Sequence, residues 1–338
     1  MNRRTSLTVL ILLCVNMVSS AAGSDAPFNG QEQTANSAEL AEANRLSQQV
    51  VVLYNQDKFD EALPLARRAL EIREKALGRD HLLVGIALKN LASLYFGKKQ
   101  YGEAASLYQR SMTLHEKAFG ANHPRVADLL DELGWSSYGS GDRSKAEKCF
   151  DRALAIREKT VGADSKEVGE SLYAIGQFHQ KTGDARKAVG FYRRALPIME
   201  KTLGANAKGV GALLEKCACA LLATGEKQES AGMQLRAGMI LHERDPGEVV
   251  GEVLQGKASF RAEPVYPAAA KYGRISGTVI VEVTVDETGH VTDARAVCGP
   301  DLLVGTSIEA AKRWRFTPTL LSGQPVKVIG TITFNFRL

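Results

Sequence analysis

The stretch Ala69-Leu-Glu-Ile-Arg-Glu-Lys-Ala-Leu-Gly-Arg-Asp-His81 decides the fold, because its pattern returns at a fixed interval along the chain. Its glycine recurs every 42 residues, as Gly78, Gly120, Gly162 and Gly204. The Glu-Lys pairs beginning at Glu74, Glu116, Glu158 and Glu200 keep the same register, as do Ala62, Ala104, Ala146 and Ala188. A period of this length indicates an array of stacked helical repeats.

Each repeat unit predicts a pair of helices. The apolar stripe on the second helix of the first unit is formed by Leu63, Ala66, Leu70 and Leu77. The glycine after each Glu-Lys pair suits a helix end that needs a positive φ. We expect Asp80 and Asn122 to supply side-chain oxygens to the following loop or helix start. Since one pair cannot bury its apolar face alone, neighbouring pairs must stack, which predicts a superhelix over residues 37–243.

The composition is that of an ordinary globular chain long enough for two domains. Of 338 residues, 44% are hydrophobic and 24% are charged, and the formal net charge is +5. So mild a charge, with only 7% aromatic residues, gives no reason to expect a nucleic-acid partner.

The N-terminus predicts export. Arg3 and Arg4 precede an apolar core over residues 7–18, and small residues follow it at 20–22. This is the pattern of a signal peptide, here residues 1–22, followed by a polar tether over 23–36. The alternative is an uncleaved membrane anchor formed by residues 5–22, although the apolar core is short for a membrane span.

The C-terminal part predicts a small sheet. The run Gly277–Val285 alternates β-forming residues, and the turn Asp286-Glu-Thr-Gly289 joins it to a second strand over 290–298. We expect a helical turn near 267–272, a helix over 301–313 and a last strand over about 325–337. In that last strand, Val326, Val328, Ile332, Phe334 and Phe336 share one face. The other face carries Lys327, Ile329, Thr331, Thr333, Asn335 and Arg337.

The predicted fold is therefore an α-solenoid of about five helix pairs followed by an α+β domain with a three-stranded antiparallel sheet and a helix. Residues 244–262 are rich in helix breakers and form a predicted linker that contributes at most a short strand. The small domain covers 263–338. A strand at the chain's end can lie at a sheet edge, where unpaired backbone groups capture another strand.

The sequence contains no pattern of residues that indicates catalysis. The six histidines are scattered without metal-ligand spacing, and no nucleophile elbow or phosphate-binding loop is present. We therefore predict a protein that is not an enzyme and that needs no metal or cofactor. Of the five cysteines, Cys14 belongs to the predicted signal peptide. The four that remain in the mature chain, Cys149, Cys217, Cys219 and Cys298, are an even set, but free buried thiols are expected in preference to disulfides, since Cys217 and Cys219 point to different sides of a helix.

The repeats resemble the 42-residue tetratricopeptide (TPR) repeats of the kinesin light chain class. The segment 69–81, residues 153–162 and Asn122-His-Pro124 carry the resemblance. It implies a protein-binding scaffold. In that class, asparagines on the first helices hold peptide backbones. Only Asn90 occupies this register here, because Glu132 and Ala174 replace it in the next two units.

The small domain resembles the C-terminal domain of the TonB family. The matching motifs are Pro264-x-Tyr-Pro267, Gly277-Thr-Val279, Asp286-Glu-x-Gly-x-Val291, Trp314-Arg-Phe-x-Pro318, Gly323-x-Pro-Val326 and Phe334-x-Phe336. The resemblance implies a periplasmic module that binds the N-terminal box peptide of an outer-membrane receptor as an added strand. Carried over, the binding edge is the last strand, with Tyr266 and Pro267 beside it. The edge residues are Val326, Lys327, Val328, Ile329, Thr331, Thr333, Asn335 and Arg337.

The leading functional hypothesis is an exported envelope adaptor in the periplasm, whose partner is an outer-membrane TonB-dependent receptor or another envelope protein. The first alternative is an energy transducer anchored in the inner membrane and driven by a proton-driven motor of the ExbB/ExbD type. The second alternative is a structural homodimer formed through paired edge strands.

Overall fold

The structure is a computed structural model that describes residues 30–241, 249–250 and 258–338, with side chains from 37 to 241 and from 258 onward. The predicted signal peptide, most of the predicted linker and residues 23–29 of the predicted tether lie outside the described residues. Within the described ranges, no helix is both long enough and apolar enough to cross a membrane. The chain divides into two compact units, with the boundary between Ile156 and Arg157.

The repeat array consists of helix pairs of the predicted kind. Their bounds are α1 Gly30–Asn55, α2 Phe59–Leu77, α3 Leu82–Gly97, α4 Tyr101–Phe119, α5 Pro124–Gly139, α6 Arg143–Val161, α7 Lys166–Lys181, α8 Ala185–Leu203, α9 Lys208–Thr224 and α10 Lys227–Leu241. The first helix begins within the segment predicted as a tether. The five predicted pairs are confirmed in this part of the chain.

The loops between repeats explain the recurring sequence signal. Gly78 and Gly120 end their helices with φ of 81° and 91° and an extended ψ, a region that glycine almost alone adopts. The side chains of His81 and His123 cap the next helices, where each ring Nδ1 accepts a hydrogen bond from a backbone N–H two residues on, at 3.1 and 3.2 Å. Of the two roles expected for Asp80 and Asn122, capping of the helix start is wrong, because the histidine is the last non-helical residue and its ring nitrogen reaches the free N–H groups.

The recurring Glu-Lys pairs join successive repeats. In each compact unit, the glutamate of one repeat pairs with an arginine 36 residues later. The pairs are Glu74–Arg110, Glu116–Arg152, Glu158–Arg194 and Glu200–Arg236, at 2.5–3.0 Å. These arginines also recur every 42 residues, so each ion pair is repeated by the architecture.

The second unit ends in the small domain. Its elements are β1 Val249–Val250, β2 Ala258–Phe260, α11 Ala268–Tyr272, β3 Gly277–Val285, β4 Val291–Cys298, α12 Asp301–Lys312, β5 Arg315–Phe316, β6 Thr319–Leu321, β7 Gln324–Val326 and β8 Val328–Phe336. Strands β8, β3 and β4 form the predicted antiparallel sheet, and the hairpin turn falls where expected. The strand β1 adds to β8 in parallel, so the main sheet has the order β1-β8-β3-β4.

Each face of this sheet is covered by a helix. One face packs against α12, and the core there includes Trp314, Phe316, Phe334 and Ile332. The indole N–H of Trp314 donates to the Ala262 carbonyl at 2.8 Å, so the polar atom of this buried side chain has a partner inside the core. The opposite face lies against α9, where Ile280 forms a small apolar cluster with two cysteines.

Those two cysteines, Cys219 of α9 and Cys298 of β4, form a disulfide across this face. The expectation of free thiols at these positions is therefore wrong, although it is correct for Cys149 and Cys217. The sequence argument failed because it considered only the helix that carries Cys217 and Cys219. Their opposite directions on α9 place Cys217 in the repeat core and aim Cys219 at the sheet.

Candidate strand-binding site

The last strand, β8, is firmly seated in the sheet. Its residues pair with β3 along the whole strand, from Val328 opposite Val285 to Phe336 opposite Gly277. Alternate side chains at 328, 332, 334 and 336 are buried, as the sequence pattern predicts. The ring of Phe334 meets Trp314 edge to face, with the ring centroids 5.7 Å apart. This packing fixes the register of β8, since a slip by one residue would turn its aromatic side chains outward.

The first part of the predicted binding edge is already paired. Val326 belongs to the β6–β7 hairpin, opposite Thr319, and Lys327 lies between β7 and β8. Val328 and Ile329 pair with β1. The prediction that the open edge begins at Val326 is therefore wrong, because two β-branched residues of the linker form a short strand there. Within the described residues, the edge from Gly330 to Phe336 has no partner strand.

The face of β8 that does not contact the α12 core carries polar side chains. Thr331 and Thr333 are half-buried, whereas Asn335 and Arg337 are exposed. The hydroxyl of Thr278 on β3 donates to the Asn335 side-chain oxygen at 2.8 Å. A polar face beside an unpaired backbone edge is suited to an incoming strand, since it stays soluble when the site is empty.

Tyr266 and Pro267 lie next to this strand, as the resemblance implies. The Tyr266 ring packs edge to face on Phe336, with centroids 5.3 Å apart, and its hydroxyl donates to the Ile275 carbonyl at 2.7 Å. Pro267 precedes the first residue of α11, at the N-cap position. Both residues are half-buried, so they support the end of β8 and leave only part of their surface for a ligand.

A cleft of about 810 Å³ opens between the end of β8 and the helix α10. One wall is α10, the other is the polar face of β8 with the start of β3, and the end of α9 contributes Leu222. The lining side chains include Lys227, Gln234, Thr331, Asn335 and Arg337. The sequence reasoning missed the α10 residues, because nothing in the repeat pattern shows that its last helix faces the sheet.

The helical wall is tied to the sheet by more than the disulfide. Arg295 of β4 donates to both carboxylate oxygens of Glu282, at 2.5 and 3.0 Å, and to Glu215 of α9 at 2.5 Å. Burial acts to lower the pKa of Arg295, but hydrogen bonds from the guanidinium to these two carboxylates outweigh it and raise the pKa. The Ser230 hydroxyl of α10 donates to the Ala218 carbonyl of α9 at 2.8 Å, which fixes α10 on the same support.

Asn90, the proposed groove residue of the repeats, belongs to α3 in the first unit and is half-buried. The residue one repeat later, Glu132, accepts a hydrogen bond from the Tyr108 hydroxyl at 3.3 Å. Burial raises the pKa of Glu132 to about 7. This surface thus presents one amide and one carboxyl group in the register where the kinesin light chain class has asparagines.

No cluster of metal-ligating side chains occurs in the residues that the structure describes.

The comparisons with known proteins agree with this architecture. Residues 262–338 match the family model of the Gram-negative bacterial TonB protein C-terminal. Residues 40–117, 83–159 and 168–206 match tetratricopeptide repeat models. Protein TonB of Vibrio cholerae serotype O1 is 33% identical over 82 residues, which are 24% of this chain and 34% of that protein. The chain thus spans about a third of the length of this relative.

Solved structures resemble the repeat part. A kinesin light chain protein of Podosopora anserina with nearly identical TPR-like repeats has a TM-score of 0.54 at 20% identity, covering 60% of this chain and 95% of that one. BtubC (BKLC) from P. vanneervenii has a TM-score of 0.53 at 18% identity, covering 64% and 94%. At these sequence identities, the structural similarity shows a shared fold and nothing more. The chain therefore carries tetratricopeptide repeats followed, over residues 262–338, by a domain that matches the TonB C-terminal family.

Proposed function

We propose that this protein is an exported adaptor of the bacterial cell envelope that binds other proteins without catalysing a reaction. The TonB C-terminal domain and the repeats together support a TonB-related protein-binding role. The single observation that carries the proposal is the edge of β8 from Gly330 to Phe336, which pairs with no strand among the described residues and lies beside a cleft. Its ligand is an extended segment of an envelope protein, and the box peptide of an outer-membrane receptor is the first candidate.

Binding at this edge is strand addition. The backbone N–H and C=O groups on the open side of β8 pair with those of the incoming peptide, which provides affinity that tolerates many sequences. The rigidity of β8 lowers the cost of binding, since its register and side chains are already fixed by the aromatic core. Specificity then depends on the side chains of the polar face and of the cleft.

The disulfide between Cys219 and Cys298 supports the location outside the cytoplasm. Disulfides persist in oxidising compartments such as the periplasm and are reduced in the cytosol. The sequence pattern of residues 1–22 supports the same location. N-terminal sequencing of the mature protein tests it: a start near Gly23 agrees with export and cleavage, whereas a retained leader favours the membrane-anchored alternative.

The strand-addition proposal is tested by isothermal titration calorimetry of the full chain with receptor box peptides. The control is the same peptide N-methylated at alternate backbone amides, because this change removes hydrogen-bond donors and leaves the side chains. We expect micromolar binding of the unmodified peptide and a loss of at least tenfold for the methylated series that faces β8. Equal binding of both peptides would contradict strand addition, and no binding at all would contradict the proposed ligand class.

The repeats supply the scaffold that carries this module. Within the first unit, cross-repeat ion pairs join successive repeats, and α3 and α5 offer Asn90 and Glu132 to a second partner. Substituting both residues by Ala tests this role. Loss of an envelope partner in crosslinking, with unchanged peptide binding at β8, supports a separate site on the repeats.

A further inference from the structure

We propose, on the basis of the strand-binding function above, that α10 of the last repeat is the second wall of the peptide site, and that it selects extended peptides with acidic side chains. The open edge of β8 does not face free solvent on its polar side. It borders the cleft whose opposite wall carries Lys227, Ala231 and Gln234, at the i, i+4 and i+7 positions of one helix face.

The geometry places alternate side chains of an added strand in this cleft. Successive residues of a strand point to opposite sides, so every second side chain of a peptide beside Gly330–Phe336 points away from the α12 core. That direction is the one taken by Thr331, Thr333 and Asn335, which line the cleft. The peptide's side chains on this side therefore lie between β8 and α10.

The charge of the cleft favours an acidic occupant. Among the described residues, its lining contains Lys227 and Arg337 and no Asp or Glu. Both cations are exposed, and neither forms an ion pair in the part of the chain that the structure describes. The acidic neighbours of Lys227 are Glu226, which precedes α10, and Glu229 on α10; both are paired with Arg193, at 2.8 and 2.6 Å. Lys227 and Arg337, which have no ion-pair partner among the described residues, thus face the path of the peptide.

The wall keeps its place because α9 and α10 are attached to the sheet. The disulfide, the contact of Arg295 with Glu215 and the hydrogen bond from Ser230 hold these helices over the polar face. Because the cleft is already formed, little conformational entropy is lost when a ligand binds. Its side chains therefore contribute directly to selectivity. The repeats and the TonB C-terminal domain therefore build one binding site together.

Three synthetic peptides test the charge preference on the full chain. The acidic probe is acetyl-Glu-Thr-Val-Ser-Val-Thr-Glu-amide, and its two glutamates are replaced by glutamine in the neutral probe and by lysine in the basic one. We expect the acidic probe to bind about tenfold more tightly than the neutral probe at low salt, since each exposed pair contributes modestly. The ratio should fall as salt screens the charges.

Charge-reversal variants locate the effect. Lys227→Glu and Arg337→Glu should each weaken the acidic probe and strengthen the basic one by several-fold. The matched control is Lys312→Glu, which makes the same change on α12 at the other face of the sheet and should leave all three affinities unchanged. A charge preference that persists in both cleft variants would overturn the assignment.

A pair of bulky substitutions tests α10 as a wall. Ala231→Trp places an indole in the cleft, whereas Gln228→Trp places it on an exposed part of the same helix outside the cleft lining. We expect at least a tenfold loss of peptide affinity for the first variant alone, with circular dichroism unchanged in both. Wild-type affinity in Ala231→Trp, or equal binding of the three probes, refutes this role of α10 and leaves strand addition intact. Absence of binding by every probe refutes both.

Discussion

Removing the disulfide between Cys219 and Cys298 should strongly destabilise the C-terminal domain. The two cysteines are 79 residues apart, so the bond closes a long loop in the unfolded chain. Loop-closure entropy for this length corresponds to about 4 to 5 kcal/mol at 25 °C. With a urea m-value of about 1 to 2 kcal/mol per molar, the unfolding midpoint should fall by about 2 to 5 M.

The assay measures the fluorescence of Trp314 alone. The chain contains two tryptophans, and Trp314 lies in the core of the C-terminal domain whereas Trp135 lies in the repeats. In a Trp135→Phe background, fluorescence during urea unfolding reports on the domain that the disulfide supports. The double variant Cys219→Ala/Cys298→Ala is compared there with the oxidised protein.

The matched control is Cys217→Ala, which removes a fully buried cysteine from the same helix without breaking a bond. It should cost only about 1 kcal/mol, the usual effect of a small truncation. Alkylation of the denatured, unreduced protein should modify Cys149 and Cys217 and spare the bonded pair. Equal midpoints for the control and the double variant, or alkylation of Cys219 without reduction, would refute the reasoning.

Three further perturbations test other parts of the structure. Arg295→Met should cost about 3 to 5 kcal/mol, because it removes the guanidinium that pairs with two largely buried carboxylates, Glu215 and Glu282; an unchanged urea midpoint of Trp314 fluorescence would contradict this. The pKa of Glu132 is raised by burial from 4.5 to about 7, so the contribution of this group to the free energy of unfolding should be highest below about pH 4.5 and fall by about 2 kcal/mol between pH 5 and 7. Glu132→Gln should remove that slope in denaturant titrations of the repeats, and a slope that persists would assign it to another group. Gly176→Ala would force a methyl group into the ring of Tyr192 and should lower the free energy of unfolding by about 1 to 3 kcal/mol. Gly190→Ala, at an open helical position, should raise it by about 0.5 to 1 kcal/mol. Thermal unfolding distinguishes the loss of stability from the gain.

Local sequence patterns predicted most of the secondary structure for a physical reason. Helix ends depend on residues a few positions apart, so the recurring glycines marked them correctly, although the capping residues proved to be His81 and His123. A strand with one buried face alternates its side chains, and the pattern of β8 follows from this alone. Both signals lie within one element and need no knowledge of its neighbours.

The cross-repeat ion pairs could be predicted only in part from the sequence. The glutamates and arginines recur with the same period, so their pairing was visible in principle. Recognising it requires the stacking distance between successive repeats, because Glu74 and Arg110 lie on different helices.

The sequence by itself determined the repeat array, the order of the strands in the small domain and the face of β8 that enters the core, since each depends on spacing along the chain. Tertiary structure alone decided which part of β8 stays open and what lies beside it. The pairing of β1 with Val328 and Ile329, the bond from Cys219 to Cys298 and the approach of α10 to β8 all join distant parts of the chain. Such contacts depend on how elements pack, and no local periodicity encodes that choice.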